Sequence, residues 1–96
     1  MMNRLQYLLG LVGQECNEIG KEASKAAFFG LEDHAPGTAV TNASRVHQEL
    51  DDLAAIVEML NREFNFGYVP NEALISDKID KVNLWQKYAR QKGNVE

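Results

Sequence analysis

Val46, Leu50, Leu53, Val57, Leu60 and Phe64 repeat in strict four-three alternation. That period fits one face of an α-helix, does not fit a strand, and presents a continuous apolar seam to a neighbouring helix. It predicts a helix from about Asn42 to Asn65, with Thr41 or Asn42 as its N-cap. Upstream, Leu5, Leu8, Leu9, Val12, Cys16, Ile19, Ala23 and Ala26 follow the same three-and-four spacing and predict a first helix from about Asn3 to Phe29. Gly10, Gly13 and Gly20 weaken it by up to ~1 kcal/mol each relative to alanine, and they either admit a second helix at close range or bend this one. Between the two, Gly30, Asp33, Pro36 and Gly37 mark Gly30–Thr41 as a loop with room for a short extra turn. Gly67 and Pro70 break the pattern again. A third helix is expected over Glu72–Gln91, on Ile75, Ile79, Val82 and Trp85 or Tyr88, followed by a frayed polar tail, Lys92–Glu96. The expectation is one all-α domain over residues 1–96. A 96-residue chain buries a modest core, and a seam this regular seeks a partner.

Composition narrows the function. A net charge of −4 lacks the basic footprint of a protein that grips duplex nucleic acid. Such a chain can still hold a small polyanion if bound cations reverse the local field. Cys16 is the only cysteine, which rules out an internal disulfide and a Cys-rich zinc site; on the apolar stripe it reads as a small buried hydrophobe. No apolar run of ~18 residues suited to a membrane span occurs. The apolar start, Met1–Gly13, runs periodically into Gln14–Ala27 without a small-residue cleavage site, so it reads as helix and not as a signal peptide. The expected location is the cytoplasm of a bacterium or of a phage-infected cell.

The chemistry sits in two acidic pairs. Glu15 and Glu18 stand at i and i+3 on the first helix, and Glu49 and Asp52 repeat that spacing on the second, so each pair shares a face. Glu22 extends the first row by a turn. At ~100° per residue the Glu15/Glu18/Glu22 row lies about 90° from the Val12/Cys16/Ile19 stripe. The Arg45, Glu49, Asp52, Ile56 row borders the second helix's seam. If the helices pack antiparallel, as a short connection favours, both pairs meet at the rim of a shared core. Four carboxylates gathered there need compensation. Mg²⁺, with its preference for oxygen ligands shared with phosphates, supplies it, and Mn²⁺ is a possible substitute. The bland alternative is that both rows are solvated helix surface.

These residues resemble a known family. Leu9-Gly10-Leu11-Val12-Gly13-Gln14-Glu15-Cys16-Asn17-Glu18-Ile19 resembles the first motif helix of MazG-like nucleoside triphosphate pyrophosphohydrolases, an apolar, Gly-containing lead into EExxE. Glu49-Leu50-Asp51-Asp52-Leu53-Ala54 resembles the second motif, ExxD followed by small and apolar residues. The resemblance covers roughly Leu8 to Leu60. Gln14 replaces the first acidic residue of EExxE, a position outside the core metal set. The link between the motifs is long, and the chain starts close to the first motif, where many relatives carry a further helix that contributes base contacts.

The resemblance implies a MazG-like helical bundle whose four-helix core is completed in a homodimer or homotetramer. It implies cleavage of NTPs or dNTPs between the α and β phosphates, giving a nucleoside monophosphate and pyrophosphate, in nucleotide-pool sanitation. Glu15, Glu18, Glu49 and Asp52 would hold one or more Mg²⁺, which neutralise the phosphates and acidify a bound water. Glu18 or Glu15 is the first candidate to orient or deprotonate that water. Lys78 and Lys81, one turn apart on the third helix, are candidates for phosphate contact, as lysines near this place are in relatives; Asn83 is a candidate for base or ribose contact.

Arg45 is placed to pair with Glu49. His34 and His47 lack a second histidine at ligand spacing and read as surface or capping residues. Trp85 and Tyr88 read as core or subunit interface before base-stacking platforms. No Walker loop, GxSxG elbow or GxGxxG fingerprint occurs. Two rival functions stay open: phosphoribosyl-ATP pyrophosphohydrolase, which shares the acidic pattern, and a non-catalytic helical oligomerisation module. A di-iron bundle is disfavoured by the absence of ExxH.

Overall fold

The computed structural model describes residues 1–96. It contains three helices, α1 (Arg4–Phe29), α2 (Asn42–Phe64) and α3 (Glu72–Gln91), and no strand; one isolated bridge joins His34 and Thr41. None of the helices is long and apolar enough to cross a membrane.

Side chains at the helix starts explain the boundaries. The Asn3 carboxamide accepts from the Gln6 N–H at 2.8 Å while Gln6 Oε1 accepts from the Asn3 N–H at 3.0 Å, a reciprocal pair that satisfies two otherwise free donors of α1. Thr41 Oγ1 accepts from the Ser44 N–H at 3.1 Å and so caps α2, which settles the choice between Thr41 and Asn42. Asn42 has another task. It is buried, and its Nδ2 donates to the Gly30 carbonyl at 2.9 Å. Its backbone N–H donates to Asp33 at 2.8 Å, and that of Ala43 donates to Leu31 at 2.9 Å. The loop is thereby fastened across its mouth. Gly30 ends α1 at φ 95° and ψ 154°, a conformation essentially reserved for glycine.

α1 and α2 form an antiparallel hairpin. At the end away from the loop, Arg4 donates to both oxygens of Glu63, at 3.1 and 3.2 Å. Leu8 and Leu60, near that end, are fully buried. The seam between the helices does not follow the centre of the apolar stripes. Along α1 the buried and half-buried positions are Leu5, Leu8, Leu11, Val12, Glu15, Glu18, Ile19, Glu22 and Ala26. The packed line is therefore rotated from the Val12/Cys16/Ile19 stripe toward the acidic row. Cys16, expected to be buried, is exposed for that reason. Leu9 and Leu50, on the far flanks of their stripes, remain 44% and 47% exposed.

A fixed elbow leads to α3. Asn65 closes α2 in the left-handed region at φ 51°, and Gly67 follows at φ 73°. Asn61 grips the elbow with two hydrogen bonds of 2.9 Å, donating to the Tyr68 carbonyl and accepting from the Tyr68 N–H. From Asn71, whose side chain caps it, α3 projects away and packs against neither α1 nor α2. The radius of gyration is 17.1 Å, against about 12.5 Å for a compact chain of this length. Ile75, Ile79, Val82 and Trp85 are about half exposed. The glycines of α1 are approached by nothing: no other group lies within 4 Å of where a Cβ would stand at Gly10, Gly13 or Gly20, and the helix is unbroken there.

Candidate metal centre

The rotation of the seam decides the setting of the carboxylates. Glu15 on α1 and Glu49 on α2 lie in the packed line itself, about 20° by helical position from the fully buried Leu8 and Leu60; Glu18 and Asp52 stand at its edge. All four are half-buried. The two pairs, expected to meet at the rim of the shared core, do come together, with Glu15 and Glu49 deeper than a rim and Glu18 and Asp52 at the edge of the packed line.

Glu15, Glu49 and Asp52 each offer a carboxylate oxygen, and these oxygens all lie within 4.8 Å of one another. Neighbouring oxygens around one octahedral Mg²⁺ stand about 3 Å apart, so the trio would share a cation after its side chains close by up to about 2 Å. Glu18 lies beside the trio without joining it, close enough for its charge to act on Glu49. Burial pushes the Glu49 carboxyl above its ordinary range; the charges of Asp52, Glu15 and Glu18 and a hydrogen-bonding contact with Glu15 push the same way. No lysine or arginine pairs with any of the four. The donor set, all carboxylate oxygen and short of positive charge, fits a hard divalent cation.

Arg45, expected to pair with Glu49, makes no such ion pair. Glu22 is different again. Only 7% exposed, it approaches Lys25 at 3.6 Å through one oxygen, and its Oε2 is buried without a hydrogen-bond partner. The sequence marked Glu22 as part of the acidic row; its depth in the seam was not legible, because depth depends on which flank of the stripe α2 covers.

The proposed phosphate and base contacts lie elsewhere. Lys78, Lys81 and Asn83 are exposed on α3, which leaves from the Phe64 end of α2. Glu49 and Asp52 are roughly 18–23 Å from that end at 1.5 Å per residue, so the structure does not bring the three residues to the carboxylates of their own chain. Nor do they share a face: Asn83 is about 140° around α3 from Lys78. Lys78 rests its ammonium 4.6 Å from the centre of the Trp85 ring. His34 and His47 are exposed and contribute no ligand. Trp85 and Tyr88 are exposed as well, at 54% and 61%.

Function has to be read from this carboxylate layer, since no protein-family model, no curated protein and no solved structure matches the chain.

Proposed function

We propose that this protein is a divalent-metal-dependent nucleoside triphosphate pyrophosphohydrolase of the MazG-like kind, its helical core completed by further copies of itself. The observation that carries the reading is the convergence of Glu15, Glu49 and Asp52 within 4.8 Å, across two helices and without a protein cation. The order and spacing of the two acidic motifs support the same reading. Glu15, Glu49 and Asp52 would hold Mg²⁺, or Mn²⁺ in its place. A cation bound there supplies charge neutralisation for the triphosphate and a lowered pKa for a coordinated water. Glu18, at the edge of the trio, is positioned to orient the attacking water or take its proton. The half-buried seam limits the access of bulk water to the centre and strengthens these electrostatic effects.

The test is a panel of the canonical NTPs and dNTPs, with phosphoribosyl-ATP as a further substrate, assayed with Mg²⁺. Nucleoside monophosphate and pyrophosphate are the expected products from NTPs, and Glu49→Gln abolishes their release. Orthophosphate with a nucleoside diphosphate would refute cleavage between the α and β phosphates.

The exposed apolar face of α3 favours one second reading, a non-catalytic oligomerisation module. Thermal unfolding with and without Mg²⁺ or Mn²⁺ separates the two. The enzyme gains stability from the ion in proportion to ln(1 + [L]/Kd) and loses that gain in Glu15→Gln and Glu49→Gln; the module shows no ion-linked gain.

A further inference from the structure

The loop end of the hairpin holds a cavity that the carboxylate layer does not use. Its volume is about 380 Å³, within the range of small-molecule sites, and its walls include Lys25, Phe29, Asp33, His34, Asn42 and Arg45. The long link between the two acidic motifs builds it. Buried Asn42 ties the loop to Gly30 through its amide and to Asp33 through its N–H, and His34 bridges to Thr41, so the walls are held by the chain itself. The polar groups are largely uncommitted. Neither Asp33 nor Arg45 forms an ion pair, and Lys25 only approaches Glu22, at 3.6 Å. Phe29 presents an aromatic ring that is 68% exposed.

The cavity lies on the same edge of the hairpin as Glu18 and Asp52. By helical position Lys25 and Phe29 each stand about 20° from Glu18 on α1, and Arg45 stands about 20° from Asp52 on α2. In an antiparallel pair these two edges form one side. Arg45 is one turn, ~6 Å, from Glu49, and Phe29 is ~16 Å along α1 from Glu18, a span that an extended nucleotide covers. Every nucleobase has a flat face that stacks on an aromatic ring and a rim that carries both donors and acceptors. Phe29 offers the ring, Asp33 accepts, and Arg45 and Lys25 donate. A phosphate group would be repelled by Asp33 and would leave the ring unused.

We propose that this cavity is the nucleobase pocket: with the phosphates at the carboxylate centre, the base stacks on Phe29 and is read by Asp33 and Arg45. The assignment rests on the nucleotide reading above and adds the direction of the substrate, phosphates at Glu15, Glu49 and Asp52 and base at the loop.

The full chain, ¹⁵N-labelled, is titrated in Mg²⁺ with an α,β-methylene nucleoside triphosphate, which cannot be cleaved at that bridge, and with inorganic tripolyphosphate, which has no base. Amides of residues 29–42 should move with the nucleotide and not with tripolyphosphate. Base-dependent shifts confined to residues 7–17 or to α3 overturn the pocket and leave the enzyme reading standing. A chain that neither compound perturbs defeats the enzyme reading, and the pocket with it. In steady-state assays Phe29→Ala should raise KM for NTPs about 5- to 150-fold, the range of one lost base–aromatic stack, with inhibition by tripolyphosphate unchanged. Asp33→Asn should change the order of preference among the canonical NTPs. Both side chains are exposed, so the variants keep the fold. Equal effects on NTPs and tripolyphosphate, or none on either, overturn the assignment.

Discussion

Replacing Glu22 by leucine should make the protein more stable, although it removes an ion pair. The side chain is 7% exposed and sits on the packed line of α1 between Ile19 and Ala26. Its Oε2 is buried with no partner, and its other oxygen meets only the half-exposed Lys25 at 3.6 Å. A buried acceptor left unsatisfied costs about 1–3 kcal/mol. The i, i+3 pair with Lys25 offsets about 0.2–0.5 kcal/mol of that. Leucine has similar length and a better helix propensity, and it adds apolar contact in the seam. The net expectation for Glu22→Leu is a gain of about 1–2 kcal/mol, a rise in Tm of about 4–16 °C for a domain of this size. Circular dichroism melts and urea titrations at fixed protein concentration measure it, since association would otherwise move the midpoint. Pyrophosphate release should be retained, because Glu22 is outside the Glu15/Glu49/Asp52 trio. A variant of equal or lower stability would refute the reasoning: the Oε2 atom would then have a partner, and Glu22 would belong with the metal ligands.

Other perturbations test other parts of the structure. Glu49 titrates above its ordinary 4.5 in the folded chain, so it binds its proton more readily folded than unfolded. Its contribution is fully present below pH 4.5 and is lost as pH rises through the higher folded value; urea midpoints of the metal-free protein should show this loss, and Glu49→Gln should not. Glu63 is held below its ordinary range by Arg4, so its contribution is present above pH 4.5 and is lost as pH falls through the lower folded value. Glu63→Gln should therefore shift the acid limb alone, by an amount that shrinks in high salt. Gly30→Ala forces a Cβ into a backbone conformation essentially reserved for glycine and should cost about 1–3 kcal/mol, read as a fall in Tm. Asn61→Ala removes both bonds to Tyr68, and faster hydrogen exchange at the Tyr68 amide together with a weaker self-association is the expected pair of results.

The helices were legible because their signals are local. Asn3 before Gln6, Thr41 before Ser44 and Asn71 before Leu74 place caps where the side chains can reach their own backbone, and the boundaries followed to within one residue. The three-and-four spacing of apolar residues gave each helix a sided surface. It did not give the direction in which α2 would lean on α1. The face that α2 covers runs from Leu5 and Val12 through Ile19 to Glu18, and this rotation toward the acidic row left Cys16 and Leu9 outside. The four carboxylates were identifiable by pairing, but their place inside the seam depended on that rotation. The position of α3 was beyond local reasoning altogether, since an amphipathic helix announces that it will be covered and not by what. Lys78 and Lys81 were candidates for their one-turn spacing and for the lysines near this place in the resembling family, and neither reveals that α3 stands apart from the hairpin beyond the elbow at Asn61.

The hairpin is tightest where its chain is most remote. Leu8 and Leu60, its two fully buried residues, belong to the end closed by Arg4 and Glu63, while the end next to the loop is sealed by Asn42 and contains Glu22. Most helical proteins fold quickly because their favourable contacts are near in sequence. Here the turn can form early through its hydrogen bonds, yet it offers little apolar area to hold the nascent pair of helices together. The strongest packing arrives only after a loop of some fifty residues has closed, at an entropic cost that grows slowly with loop length. Substitutions at Leu8 or Leu60 should therefore slow folding as well as hasten unfolding, with substantial φ-values at the far end of the hairpin instead of at its turn.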